Sequence, residues 1–319
     1  MKVVVTGASG FLGSRVADYL LSDQSPITVT ELVLVDIQAP PKRNDPRVSS
    51  FALELSAPGS AEQLITKNVA VMFHLAAIVS GHAEADFDLG LRVNFDATRS
   101  LLDEARRTNP SLIFVFTSTV GVFGGNLPEV INDLTAVTPQ NSYGTAKAMS
   151  ELLINDCSRK GFVDGRIVRL PTVSVRAGAA NRAVTSFASG IIREPLNGER
   201  SVCPVPPEQK LWLTSPEVVV KNIVYAATLP DDALGPWRAV NLPGFRVSVH
   251  EMLQALKVVA GEKVAALVSF EPVELISNMV ASFPAKFDNS RALDLGFAVD
   301  KNFADVIRAY IRNDLKRPL

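Results

Sequence analysis

This sequence of 319 residues predicts an α/β fold: a Rossmann-type doubly wound parallel sheet with a smaller, interleaved C-terminal lobe. Three observations predict it. Apolar, β-branched runs of strand length alternate with amphipathic helical patterns through the first half of the chain. The first run, Val3-Val4-Val5, meets glycines at 7, 10 and 13 and passes straight into a helix. After Gly244 helical patterns predominate, so that part does not extend the sheet.

Composition narrows the function classes. Apolar residues at 47% and charged residues at 20% fit a soluble globular protein with a large core, as one domain or two intimate ones. A formal net charge of −1 leaves no basic excess for nucleic acid and no polybasic patch for a membrane. No apolar run is long enough to span a bilayer, and the sequence opens directly in a strand pattern; the expectation is a cytoplasmic protein without a signal peptide. Cys157 and Cys203 make no disulfide framework and are expected as free thiols. His74, His82 and His250 lack metal-ligand spacing, so no metal site is expected.

The elements follow in order. Strand, glycine turn and helix suit a dinucleotide pyrophosphate. Gly7, Gly10 and Gly13 let the backbone turn and approach phosphate, and Phe11 and Leu12 open a helix whose free N–H groups face it. The next strand, Glu31 to Asp36, ends in a carboxylate roughly 20 residues past Gly13, where an acid binds the adenine ribose. An anion there repels a 2′-phosphate, which favours NAD over NADP. Lys42 and Arg43 sit in a Pro-rich loop and read as surface. A weaker strand covers Val48 to Leu55. A strong one, from Val69, closes in Leu75, Ala76 and Ala77, small enough at the end for close backbone approach; His74 inside it reads as a core histidine.

The stretch Ile78 to Gly90 reads as a polar loop carrying Ser80, a place where ligands bind in such sheets. A helix is predicted over Leu91 to Thr108; Asn94 within it is expected at solvent unless it faces the active site. The strand Leu112 to Thr119 ends in three hydroxyls. A loop over Gly124 to Pro139 carries Asn126, and a helix opens near Tyr143 and runs to Arg159. A strand is predicted over Gly165 to Val173, with Pro171 near its end, and another over Arg238 to Leu242. Residues 1–173, with about 217–244 returning to them, are assigned to the NAD-binding domain; 174–216 and 245–319 are assigned to a substrate lobe.

Tyr143 and Lys147 carry the chemistry. They are four residues apart and share one helix face. A tyrosine is a poor base near neutral pH, and a cationic lysine beside it lowers its pKa, as does a bound nicotinamidium. Tyr143 then takes the proton of a substrate alcohol while hydride leaves for nicotinamide, with Lys147 on the ribose hydroxyls and Thr119 or Ser118 orienting the substrate oxygen.

These pieces, in this order, resemble the extended short-chain dehydrogenase/reductases, the superfamily of nucleotide-sugar epimerases and dehydratases. The likeness rests on Thr6 to Gly13, His74 to Ala77, Val93-Asn94, Phe116 to Thr119, Tyr143 with Lys147, and Arg291 to Phe297, nearly the whole chain. The resemblance selects Thr119 over Ser118, because the catalytic hydroxyl lies four residues before an aromatic-glycine pair, here Phe123-Gly124. It implies that Asn94 helps position the active-site lysine and water, and that Leu55 and Pro171 join the cofactor contacts. Further stretches, among them Ala85 to Asn94, Arg169 to Val173 and Ser186 to Leu196, are similar to NAD enzymes of this superfamily that oxidise a four-carbon sugar acid at C2. Departures are Leu53-Glu54-Leu55 where many relatives have Gly-Asp-Leu, Phe123 where many epimerases have tyrosine, and Lys210 to Pro216 in place of an Arg-Asp-Phe segment.

A small hydroxy acid needs a carboxylate anchor, and a guanidinium gives a bidentate one. Arg176 and Arg182 are the candidates, with Arg182 favoured by uronate-oxidising relatives. Ser80 and Asn126 are candidate hydroxyl partners, and Trp212 either walls the pocket or belongs to the core. Three readings follow: an NAD-linked sugar-acid dehydrogenase first, then a nucleotide-sugar epimerase or dehydratase that retains NAD, then a non-catalytic NAD-binding regulator. A homodimer is expected, built on the helices over Leu91–Thr108 and Tyr143–Arg159.

Overall fold

The computed structural model describes residues 1–178 and 183–316. Its centre is a seven-stranded parallel sheet of β1 (Lys2–Thr6), β2 (Glu31–Asp36), β3 (Val48–Ala52), β4 (Val69–His74), β5 (Ile113–Thr119), β6 (Asp164–Leu170) and β10 (Ala239–Asn241), in the order β10-β6-β5-β4-β1-β2-β3. Alternate residues sort onto two faces. Val3, Val5, Leu32, Leu34, Val71 and Phe73 join Val16, Ala17 and Leu20 of the Phe11–Leu21 helix and Val219, Ile223 and Val224 of the Pro216–Ala226 helix in one core. Val4, Val33, Val35, Met72, Phe114 and Phe116 join Leu101, Leu102 and Ala105 of the Ala97–Thr108 helix and Ile154 of the Ser142–Arg159 helix in the other. Both faces are covered, so the inner strands β1, β2, β4 and β5 are largely apolar, as a buried parallel sheet requires. This is the doubly wound Rossmann arrangement. The strand order reverses between β1 and β4, and that switch point opens a crevice at the strands' C-terminal ends.

The remaining strands are β7 (Thr172–Val173), β8 (Ser201–Cys203), β9 (Lys210–Thr214), β11 (Phe245–Ser248) and β12 (Val268–Phe270). β9 pairs antiparallel with β11 and parallel with β7; β12 and β8 form a parallel pair. With the helices Phe187–Leu196, Val249–Ala260 and Phe303–Tyr310 they enclose a third core around Ile191, Leu213, Met252, Leu256 and Ile307.

Three local expectations are corrected. The stretch read as a loop over Ile78 to Gly90 holds two short helices, Ser80–Ala85 and Phe87–Leu91; Asp86 caps the second by accepting a hydrogen bond from Leu89 N at 3.0 Å. The strand read as Gly165 to Val173 breaks at Pro171, which has no N–H to donate, and Thr172–Val173 leaves for the other sheet. The strand read as Val48 to Leu55 ends at Ala52, and Leu55 lies in the core beneath the sheet's edge. Among the described residues no helix is long and apolar enough to cross a membrane.

Candidate active site

The glycine turn fits its expected ligand by shape. Gly7 has φ +70°, and a Cβ on it would stand 2.7 Å from Ala76 N, so the turn after β1 lies directly against the chain after β4. A Cβ on Gly13 would stand 2.1 Å from the Gly7 carbonyl oxygen, which makes glycine obligatory for the helix to pack on the turn. A Cβ on Gly10 meets only that same oxygen, at 3.0 Å, so the space above Gly10 is open for a phosphate to approach. Gly10 is also the N-cap of the Phe11–Leu21 helix, and no side chain caps its N–H groups.

Asp36, the last residue of β2, accepts from Ser9 N at 2.9 Å and from Ile37 N at 2.7 Å, which ties the carboxylate to the glycine turn. Lys42 is exposed as expected, but Arg43 is not free surface. It donates to Asp18 Oδ1 at 2.9 Å and to Ser14 at 3.1 Å, and Asp18 neutralises it on the outer face of the first helix.

A cleft of about 310 Å³ runs from this turn along the C-terminal ends of the strands. Among the residues singled out from sequence, Gly7, Gly10, Phe11, Leu12, Gly13, Leu75, Ala77, Ser80, Thr119, Tyr143, Lys147, Pro171, Arg176 and Trp212 line it. Asp36, Leu55, Ala76 and Asn94 do not, although Ala76 packs on Gly7. Asn126 lies in a separate surface depression with Pro128 and Leu134. Arg182 lies outside the described residues. Trp212 satisfies both readings offered for it: it lines the cleft and stacks on Phe287, ring centroids 5.1 Å apart, within a small buried cluster.

Asn141 caps the Ser142–Arg159 helix by accepting from Gly144 N at 2.8 Å, and this start places Tyr143 and Lys147 at the cleft. Lys147 is 1% exposed; its Nζ donates to Thr117 O at 2.9 Å and lies 4.4 Å from the Phe116 ring and 5.8 Å from the Tyr143 ring. Burial pushes the Tyr143 hydroxyl up to about 12 and the Lys147 ammonium down to about 7, the latter opposed by the Glu151 carboxylate. Both shifts penalise the charged form, so the pair by itself rests as neutral tyrosine beside an easily deprotonated lysine. A cation bound against Tyr143 moves it the other way.

The two hydroxyls at the end of β5 are not equivalent. Ser118 Oγ donates to the Glu151 carboxylate, whereas Thr119 Oγ1 accepts from Gly121 N at 3.0 Å and keeps its proton for another partner. Asn94 is 1% exposed rather than at solvent. It sits in a single π-helical turn, Arg92–Asp96, and its amide is spent on the backbone of Ile78, accepting at 2.9 Å and donating at 3.1 Å. Its carbonyl accepts from Ser150 Oγ on the Tyr143 helix at 3.2 Å. Asn94 therefore braces both the chain after β4 and the catalytic helix. His74 is buried with Thr6 Oγ1 2.7 Å from Nδ1 and Thr98 Oγ1 3.0 Å from Nε2, the satisfied core histidine that was expected.

Sequence reasoning missed Asn141, Thr185, Lys210, Phe283 and Pro284, all of which line the cleft. Asn141 had a readable signal, an N-cap residue before a helix; Phe283 and Pro284 come from the distant C-terminal part and had none. The charged residues of the lining are Lys147, Arg176 and Lys210, and no carboxylate is among the described residues there.

What this sheet, turn and tyrosine–lysine pair define is an NAD-dependent oxidoreductase. The comparisons agree. The description "NAD dependent epimerase/dehydratase family" fits residues 3–214, and the chain belongs to that family. It is 52% identical to the D-erythronate dehydrogenase of Haemophilus influenzae over 99% of this chain and 100% of that one. It is 48% identical to the D-erythronate dehydrogenase of Cupriavidus necator over 98% of each. A crystal structure described as a nucleoside-diphosphate-sugar epimerase from Agrobacterium tumefaciens superposes with a TM-score of 0.95 at 40% identity, covering 99% of this chain and 95% of that one.

Proposed function

We propose that this chain oxidises a small sugar acid, D-erythronate, at C2 to the 2-oxo acid. The observation that carries the reading is the cleft's charge. Among the described residues its lining offers Lys147, Arg176 and Lys210 and no acid, which suits an anionic substrate held beside Tyr143. The named activity of the two relatives at 52% and 48% identity supplies the particular acid.

NAD, when bound, accepts hydride from C2 and brings a positive ring to the site. The protein's own residues do the rest. Thr119 Oγ1 holds the C2 oxygen, and Tyr143 Oη removes its proton as the carbonyl forms. Lys147, as an ammonium, lowers the cost of the tyrosinate and holds the cofactor ribose. Arg176, with Arg182, anchors the carboxylate, and Ser80 and Trp212 shape the pocket. Gly7, Gly10, Gly13, Phe11 and Leu12 hold the pyrophosphate, Asp36 takes the adenine ribose, and Leu75, Ala77 and Pro171 line the cofactor's path. Residues 174–216 and 245–319 form the substrate-binding lobe.

The chain acts as a homodimer through the helices at Leu91–Thr108 and Tyr143–Arg159; Leu152, 55% exposed on the second of these, supports that face. Two buried free thiols, Cys157 and Cys203, are consistent with the cytoplasm. The second reading, a nucleotide-sugar epimerase, draws on the description of the Agrobacterium structure. A panel of four- to six-carbon aldonic and uronic acids, with NAD or NADP, separates the two by NADH absorbance. Turnover of D-erythronate with NAD is the expected result; silence across all acids, with epimerisation of a UDP- or dTDP-sugar, would reverse it.

A further inference from the structure

Behind the tyrosine–lysine pair lies an ion pair that no step of the reaction above uses. Glu151 is one helical turn beyond Lys147 on the same helix. Arg169 reaches it from β6, with Nη2 2.7 Å from Oε2 and Nε 3.0 Å from Oε1, and both side chains are 0% exposed. Ser118 donates to the same carboxylate. On its far side Arg169 donates to Asp133 O at 3.3 Å and to Asn241 Oδ1 at 3.4 Å, and the Phe123 ring lies 4.9 Å away. The Asp133 carboxylate pairs in turn with Arg291 at 2.8 Å. Behind Lys147 the chain of partners runs through Glu151 and Arg169 to the Asp133 backbone, whose carboxylate pairs with Arg291.

Two fully desolvated charges are a poor source of stability, and apolar replacements of such pairs are often neutral or better. The pair's position relative to Lys147 accounts for it instead. The titratable groups facing Lys147 are Tyr143 and Glu151 on its own helix and His74 on β4, with Arg169 of β6 behind Glu151. Burial keeps His74 neutral and Tyr143 protonated, and β5 offers the Thr117 carbonyl and the Phe116 ring. Among the described residues Glu151 is the group whose charge favours the ammonium.

We propose that Glu151 and Arg169 are positioning residues for Lys147: Glu151 supplies the counter-charge to the buried lysine from one helical turn away, and Arg169 holds that carboxylate in place. The proposal rests on the reading of Lys147 as the lysine of the reaction, so its test does not depend on turnover. Lysine carrying ¹³C at Cε is incorporated, Lys147→Met assigns the signal, and the Lys147 resonance is titrated by NMR without substrate. E151Q leaves Arg169 uncompensated and lowers the Lys147 midpoint by at least about one pH unit. The double variant E151Q/R169M, which removes both charges, lies between E151Q and the wild type. A midpoint unmoved in E151Q overturns the proposal. If E151Q fails to fold, a double variant with the wild-type midpoint overturns it equally. Sugar acids that are not oxidised would remove the functional reading while leaving this titration decisive.

Discussion

A Cβ on Gly144 would stand 2.3 Å from the carbonyl oxygen of Gly121. The first turn of the catalytic helix thus rests on the turn that follows β5. That contact sets Tyr143, on the helix, against Thr119, whose hydroxyl accepts from Gly121 N. Gly144→Ala is expected to push the two apart and to cost about 1–3 kcal/mol of stability by overpacking. Loss of kcat beyond what the folded fraction explains, from matched thermal melts and turnover, is the result that checks it.

Tyr143→Phe removes the group that takes the alcohol proton and leaves the ring in place. The expected loss in kcat is about 10²- to 10⁴-fold. NAD affinity, measured by calorimetry, should change little.

Arg176 lines the cleft where the substrate carboxylate is proposed to bind. Arg176→Met should raise KM about 10- to 100-fold, the range of one lost charge-assisted hydrogen bond, while kcat stays near the wild-type value. Steady-state kinetics would also expose the opposite pattern, a fall in kcat with KM unchanged, which would place Arg176 outside the anchor.

His74 makes stability depend on pH. Burial lowers its folded-state value from 6.5 to about 3. Above pH 6.5 both folded and unfolded chains carry it neutral, and its effect is nil. Below that, only the unfolded chain takes the proton, so stability falls by about 1.4 kcal/mol per pH unit until the folded form also protonates near pH 3. Denaturant unfolding of wild type and His74→Gln at pH 7 and pH 5 should show this extra loss in the wild type alone.

The parallel sheet was legible because its strands are buried on both sides and read as unbroken apolar runs, Val3 to Val5 and Leu32 to Val35 among them. The glycine turn and the Tyr143–Lys147 pair were legible because each depends on short-range spacing. Where the reading failed, the deciding partner was distant in sequence. The partner of the Asn94 amide was not legible, because nothing local shows that the Ile78 backbone needs it. The three-stranded sheet of β7, β9 and β11 joins segments 172–173, 210–214 and 245–248, whose pairing no local pattern shows. Asp86, by contrast, stood in plain view as an N-cap and was passed over. Nothing in the sequence pairs Arg169 with Glu151, and only the fold brings them together at 0% exposure.

The central claim is that hydride leaves C2 of a sugar acid as Tyr143 takes the hydroxyl proton. D-erythronate deuterated at C2, incubated with NAD, tests it most directly by mass spectrometry of the reduced cofactor. The account predicts deuterium in the NADH and a slowed turnover against unlabelled acid, with the same labelled product formed about 10²- to 10⁴-fold more slowly by Tyr143→Phe. Reduced cofactor without deuterium, or no reduction at all while a nucleotide sugar is epimerised by the same preparation, would contradict it.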